Sequence, residues 1–198
     1  MLGTRGCRLA FTNSGIYEVQ VRALLEAALE FHKEGKKLSL EILVPFVTFP
    51  GEFEFARRVI TKIHKELSEQ QDSMIPYKVG AMIETPYAAL QVRDIAKSAD
   101  FISFGTNDLT QTTIGLSRDD SAFFLKACRL EGIITQDPFS TISQKGVGEL
   151  IAFAIKVARK EKPSIKISIC GEQACDAASI PFYESIGVNA ISCVRLDV

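Results

Sequence analysis

The residues Gly105 to Asp108 are of types that could do chemistry, and their setting puts that chemistry at the end of a strand. In FISFGTNDLTQ (101–111), Phe101, Ile102 and Phe104 read as a short buried strand, and Leu109 onward turns to helical spacing. Between them, Gly105 would let a ligand approach the backbone. Thr106 and Asn107 could present N–H donors, and Asp108 could hold a hard cation. The same four residues also read as an ordinary strand-to-helix turn with Asn107 or Asp108 as the cap. Matching chemistry at other strand ends decides between the two.

Such chemistry is present elsewhere in the chain. Glu84 follows the apolar run KVGAMI and pairs with Asp108 as carboxylates from two successive strands. Two carboxylates completed by substrate oxygens and water make a sparse magnesium site. Alone, Glu84 reads equally as a carboxylate favoured by the dipole of a helix starting at Pro86. Cys170 stands between a buried strand and Gly171, either as an inert core thiol or as a proton donor. Arg5, on the glycine-flanked opening loop, and Arg118, in Ser117-Arg118-Asp119-Asp120, could serve an anionic ligand. Arg118 reads as readily as an ion-pair partner of Asp119 or Asp120. The two histidines, His32 and His64, fall in predicted helices among charged neighbours and read as solvated helix-face residues. A metal here would therefore be oxygen-bound, magnesium or manganese.

The elements that must position these residues alternate. Helices are predicted over Tyr17 to Lys36, with Val21, Leu24, Leu25, Ala28 and Leu29 on one face, over Glu52 to Gln70, from Pro86, over Ala122 to Leu130, over Gly146 to Lys160 and over Ala177 to Ile186. Strands are predicted over Ser39 to Val47 (closed by Pro45 and the Thr48-to-Gly51 turn), Lys78 to Ile83, Phe101 to Gly105, Ile165 to Ile169 and Ala190 to Cys193. Compact apolar strands alternating with helices specify an α/β fold with a parallel sheet. No G-x-G-x-x-G follows the first strand, and polar groups close several different strands, so a (β/α)₈ barrel is expected over an open doubly wound sheet. Five strands in 198 residues, against about 250 residues for a whole barrel, imply a partial barrel lacking its first strands. Its exposed sheet edges would favour association.

Composition bounds the remaining possibilities. An apolar fraction of 46%, a charged fraction of 24% and a net charge of −1 describe a globular chain with no basic field for nucleic acid and no polybasic membrane signal. No apolar run approaches the ~20 residues of a membrane helix, and no signal peptide is indicated. Five cysteines without a C-x-x-C pair argue against a disulfide framework or structural zinc and suit a reducing cytoplasm.

Taken in order, GTRGCRL at Gly3, EILVPFV at Glu41, GAMIETPYAAL at Gly80, FISFGTNDLTQ with GLSRDD at Gly115, GVGEL at Gly146 and ICGEQ at Ile169 resemble one family over essentially the whole chain. It is the C-terminal phosphoenolpyruvate/pyruvate-binding barrel of pyruvate phosphate dikinase. Phosphoenolpyruvate synthase and enzyme I of the sugar phosphotransferase system share the motifs more distantly and remain alternatives, as does a non-catalytic remnant. The resemblance implies one barrel domain over residues 1–198, incomplete at both ends. It implies magnesium on Glu84 and Asp108, and substrate held by Gly105, Thr106 and Asn107. Arg5 and Arg118 would lie beside phosphate, and Cys170 would deliver a proton to the enolate methylene carbon. The implied partners are phosphoenolpyruvate or pyruvate, a phosphohistidine domain elsewhere in the whole enzyme, and a second copy in a homodimer, in the cytoplasm.

Departures from the pattern are Thr4 and Gln173 where the family usually has His, and Tyr87 where it has Arg. Two further substrate arginines of the family would lie before Met1. Val194 to Val198 depart from the segment that follows Cys193 in the family, which bears on barrel closure and dimer contacts.

Overall fold

The computed structural model describes residues 2–193, so the departure at Val194 to Val198 lies outside the described residues. After a 3₁₀ turn at Gly6–Arg8 the elements run α1 (Leu9–Thr12), α2 (Ser14–Lys33), β1 (Leu40–Val47), α3 (Pro50–Gln71) and β2 (Tyr77–Ile83). Next come α4 (Pro86–Leu90), α5 (Val92–Ser98), β3 (Phe101–Gly105), α6 (Thr106–Ile114) and α7 (Ala122–Leu130). A π-helical turn at Gln144–Gly148 leads into α8 (Glu149–Glu161), followed by β4 (Lys166–Cys170), α9 (Ile180–Ser185) and β5 (Ala190–Ser192).

The described strands form one sheet in the order β1-β2-β3-β4-β5, every neighbouring pair parallel. Sequential order separates a barrel segment from a doubly wound sheet, because the latter reverses its strand order at a switch point. Crossovers of one hand then lay all connecting helices on one side. The expected partial barrel is observed.

Helix α3 shows how sequence sets this packing. Phe53, Ala56, Ile60, Ile63 and Leu67 recur at helical spacing and are all buried. At about 1.5–3 kcal/mol for each large apolar side chain, that stripe outweighs any local propensity term. Pro50 opens the helix, Glu52 Oε2 accepts the N–H groups of Thr48 (2.7 Å) and Phe49 (2.9 Å), and Asp72 closes it in the left-handed region. In α2 the core face is Val21, Leu25, Ala28 and Leu29, while Leu24 is 43% exposed, contrary to expectation. Leu24 lies about 100° around the helix from Leu25, so only one of the two can point at the sheet.

Three further expectations change. The helix predicted from Pro86 breaks into α4 and α5 at Gln91. Strand β1 ends at Val47 as expected but runs unbroken through Pro45, and its pairing with β2 shifts register between Val44 and Val47. His64 is half-buried, its Nε2 2.9 Å from the Ile75 carbonyl and its ring 4.4 Å from that of Tyr77.

At the strand N-terminal face the chain uses one device twice. Asp100, just before β3, accepts the Val79 N–H at 2.8 Å while its own N–H donates to the Val79 carbonyl at 2.9 Å. Asn189, just before β5, does the same to Ile167, at 2.9 and 2.8 Å. A helix arginine supports each: Arg57 on Asp100, and Arg159 on the Gly187 carbonyl and Asn189 Oδ1. Burial works against the Asp100 anion, but the Val79 N–H and Arg57 hold its pKa below the usual 3.8. A depressed folded-state pKa gives stability that is present above the unfolded value and lost as pH falls through the folded one. Asp100→Ala should therefore lower unfolding free energy by about 1–2 kcal/mol at neutral pH. The gap to wild type should close on acidification below pH 3.8, which urea melts across pH would read; a gap independent of pH would refute the assignment.

Candidate active site

The strand C-terminal ends place the candidate residues at one height. Ile83 pairs with Phe104, so Glu84 stands level with Gly105, and Gly105 pairs with Cys170. Glu84 is only 6% exposed. Its Oε1 accepts the Phe46 N–H at 2.6 Å, and Oε2 lies where a Cβ on Gly105 would come within 2.5 Å. Gly105 is therefore fixed by space for the carboxylate, its φ of −88° being open to any residue. Burial and then the Asp108 charge push the Glu84 carboxyl up to about 7, against the pull of the Phe46 N–H and Arg5.

Asp108 lies in the first turn of α6 and is gripped by the Arg5 fork, Nη1 to Oδ1 at 2.8 Å and Nη2 to Oδ2 at 3.0 Å. Gln111 Nε2 adds a third bond to Oδ1 at 2.6 Å. The opening loop reaches this far because it wraps Phe46. Arg5 and Arg8 both lie over the Phe46 ring, 4.6 and 4.7 Å from its centroid. Cys7 Sγ donates to the Phe46 carbonyl at 3.3 Å, and a Cβ on Gly6 would meet Phe46 Cβ at 2.6 Å. Burial and the neighbouring Glu52 raise the Cys7 thiol to about 12, so it stays a neutral donor. Phe46 holds φ +57°, a region costly for a bulky side chain, and this turns its N–H onto Glu84.

Cys170 is half-buried, its sulfur 3.7 Å from Met82 Sδ, 3.6 Å from the Phe104 carbonyl and 4.0 Å from Ser103 Oγ. Burial pushes the thiol pKa up and Glu84 adds to this, while Ser103 opposes it, so the proton is retained at neutral pH. That is the state a proton donor needs.

Thr106, Asn107 and Arg118 sit differently from the sequence reading. No side chain caps α6; Gly105 is its N-cap, which overturns Asn107 or Asp108 as cap. The Thr106 side chain is fully buried and its hydroxyl bonds Gln173 Oε1 (2.6 Å) and the Cys170 carbonyl (3.0 Å). Asn107 Oδ1 accepts the Glu172 N–H at 2.9 Å. Arg118 pairs with Glu172 rather than Asp119 or Asp120.

Three residues of this region escaped the sequence reading as site components. Gln173 is fully buried, joining Thr106, Thr110 and the Pro138 carbonyl. Its signal was its place directly after Gly171-Glu172. Phe46 was marked only by Pro45 within a strand, a sign of a bulge. Ser103 carried no signal beyond being polar in a buried strand.

The carboxylate pair fits a hard divalent cation: two carboxylates offering oxygen donors, with Glu84 buried. Among the described residues, no group of three or more His, Cys, Asp or Glu side chains gathers as a metal cluster, so the remaining donors would come from ligand and water.

Over residues 1–198 the sequence matches the family model described as "PEP-utilising enzyme, PEP-binding domain". The chain belongs to this family. It is 48% identical over 194 residues to pyruvate, phosphate dikinase of Rhizobium meliloti (strain 1021), covering 98% of this chain and 22% of that protein. Against the chloroplastic pyruvate, phosphate dikinase of Flaveria trinervia it is 44% identical over 193 residues, covering 98% and 20%. Against pyruvate, phosphate dikinase 1 of Zea mays the figures are 42%, 98% and 20%. This PEP-binding-domain chain thus spans about a fifth of the length of these curated relatives. Among its described residues no helix is long and apolar enough to cross a membrane.

Gly171 tests the packing where β4 meets α6. It has φ +113°, and a Cβ there would collide with Thr106 Oγ1 and meet Asn107 Oδ1 at 3.1 Å. Gly171→Ala should destabilise the chain by about 1–3 kcal/mol in chemical denaturation; an unchanged midpoint would show that this approach is not fixed.

Proposed function

We propose that residues 1–198 form one phosphoenolpyruvate/pyruvate-binding barrel domain of a pyruvate phosphate dikinase. Its part of the chemistry is phosphoryl transfer between a phosphohistidine on a separate domain and the enolate oxygen of pyruvate. The whole enzyme would convert ATP, pyruvate and phosphate to AMP, phosphoenolpyruvate and diphosphate. What carries the reading is the convergence of Glu84, Asp108, Arg5 and Cys170 at the C-terminal ends of consecutive parallel strands. That end is where barrel sites are built. The curated relatives described above all bear the dikinase name, which supports this reading over the more distant alternatives.

In this proposal Glu84 and Asp108 hold Mg²⁺, which when bound supplies positive charge where the enolate oxygen develops its negative charge. The first turn of α6, free of any side-chain cap, offers N–H groups of Thr106 and Asn107 to the ligand's carboxylate or phosphate. Thr106 acts through its backbone, because its hydroxyl is committed to Gln173 and Cys170. Arg5 and Arg118 offset phosphoryl charge. Toward pyruvate, the phosphoryl group leaves the enol oxygen for the histidine nitrogen, the O–P bond breaking as the N–P bond forms. The enolate C3 then takes the Cys170 proton, leaving a thiolate that solvent reprotonates. In the opposite direction the thiolate removes that proton. A homodimer and a cytoplasmic location complete the proposal, supported by the open sheet edges of β1 and β5 and by five free thiols.

Calorimetry with phosphoenolpyruvate tests the site. Binding should require Mg²⁺, and Glu84→Gln or Asp108→Asn should weaken it by at least about tenfold, as loss of a charge-assisted contact implies. Undiminished binding in both variants would sink the cation assignment. In the full-length enzyme Cys170→Ala should leave binding within a few-fold of wild type while slowing C3 protonation by about 10²–10⁴. Proton incorporation at an unchanged rate would remove Cys170 from the mechanism.

A further inference from the structure

Two thiols meet where the last strand leaves the sheet. Cys170 pairs with Ser192 across β4 and β5, so Cys193 follows at the height of Gly171. Beyond Gly171 the chain forms a 3₁₀ turn over Glu172–Cys175, which packs against both β4 and β5. Cys175 ends that turn, and its thiol shares a hydrogen bond with the thiol of Cys193. Cys175 is half-buried and Cys193 is exposed, so a small reagent can reach the pair.

Separate anchors hold the two sulfurs in place. Before Cys175, the fully buried Gln173 is bonded to Thr106, Thr110 and the Pro138 carbonyl. After it, Asp176 accepts the Ser179 hydroxyl at 2.6 Å and the Ala178 N–H at 3.3 Å. Cys193 is placed by the strand, through Ile191 opposite Ile169 and Ser192 opposite Cys170. The other cysteines have different surroundings. Cys7 is buried and donates to the Phe46 carbonyl, Cys128 is buried on α7, and the Cys170 sulfur faces Met82, Ser103 and the Phe104 carbonyl.

We propose that Cys175 and Cys193 are a reversible disulfide site, closed by a peroxide and reopened by a dithiol, that ties the edge strand β5 to the turn backing the start of α6. The thiolate of one cysteine attacks an oxygen of hydrogen peroxide. The O–O bond breaks, hydroxide leaves, and that sulfur becomes a sulfenic acid. The second sulfur then attacks the first, forming the S–S bond, and its proton leaves with the displaced hydroxide as water. Two thiols and one peroxide give one disulfide and two waters. A reducing compartment keeps the pair open, because thiol exchange returns both thiols. The tie has mechanical consequence because β5 is only three residues long and lies at the sheet edge. The turn it joins carries Glu172, whose N–H bonds Asn107 and whose carboxylate pairs with Arg118.

The test treats the reduced 198-residue chain with hydrogen peroxide, blocks remaining thiols with N-ethylmaleimide and maps the products by mass. Cleavage after Glu172 and Glu184 puts Cys170, Cys175 and Cys193 on separate peptides. Wild type should give the Cys175–Cys193 link as its principal oxidised product, and dithiothreitol should remove it. Closing this loop should raise the thermal midpoint by about 5–10 °C. Cys175→Ser and Cys193→Ser should lose both the link and the rise, while Cys128→Ser follows wild type. In urea the preference should pass to Cys170–Cys175, the shorter loop, because folding no longer sets the pairing. Alkylation of both thiols after peroxide, a Cys170–Cys175 link in the folded chain, links between chains, or one product pattern in folded and unfolded chain would each overturn the site. A Cys175–Cys193 link with no rise in midpoint would overturn the tie to β5.

Discussion

The site depends on one constraint, the placement of a carboxylate in a nearly buried position beside a second one. Desolvation and like charge both oppose ionised Glu84, and the surroundings are built to offset them. Gly105 leaves the space, the Phe46 N–H donates to the carboxylate at close range, and Arg5 supplies the opposite sign. None of these comes without conditions. Phe46 holds positive φ where its N–H meets Glu84, and the register of β1 with β2 shifts at that place. The opening loop then holds Phe46 from its exposed side, through two guanidinium groups, a thiol and a glycine that tolerates close approach. The segment Arg5 to Arg8 and the bulge around Pro45 are therefore one structural unit, separated by some forty residues of chain and joined by the needs of Glu84.

A second unit holds the other half of the site. Gly171, by lacking a Cβ, brings the start of α6 against the end of β4. Gln173 fastens the contact, since its amide bonds Thr106, Thr110 and the Pro138 carbonyl together. An amide suits this place because it donates and accepts at once without changing charge. Cys170, Asp108 and the first turn of α6 thus form one packed unit, and the Arg5–Asp108 pair joins it to the unit of Glu84 and Phe46.

How much of this was legible in the sequence follows from the range of the interactions. The parallel sheet, the strand ends and the buried stripe of α3 were legible because apolar periodicity is local. Leu24 was misplaced because periodicity sets a stripe within about one position, and tertiary packing chooses its edge. Glu84, Asp108 and Cys170 were legible as polar groups following apolar runs. What was not legible was who holds whom: Thr106 committed to Gln173, Asn107 to the Glu172 N–H, Arg118 to Glu172 and Arg5 to Asp108. These contacts span from about fifty to about a hundred residues, and no spacing rule reaches that far. The clamps of Asp100 and Asn189 were hidden for another reason. They repeat a geometry and not a sequence, an acid in one place and an amide in the other.

Those clamps also show what distinguishes the two faces of the sheet. At the N-terminal face, the side-chain oxygens of Asp100 and Asn189 take backbone N–H groups, donors that can leave only if the strand moves, with Arg57 and Arg159 as supporting partners. At the C-terminal face Asp108 is paired with Arg5, a side chain with flexible torsions that lies at the same time over the Phe46 ring. Both faces satisfy their carboxylates, so satisfaction alone does not mark a site. The difference lies in the barrier to exchanging the partner, which is high where the donor is part of the ladder and low where it is the tip of a long chain. Electrostatic need met by a replaceable donor is the condition under which a ligand can enter without unfolding anything, and in this chain that condition is met at the end of the sheet where Glu84, Asp108 and Cys170 converge.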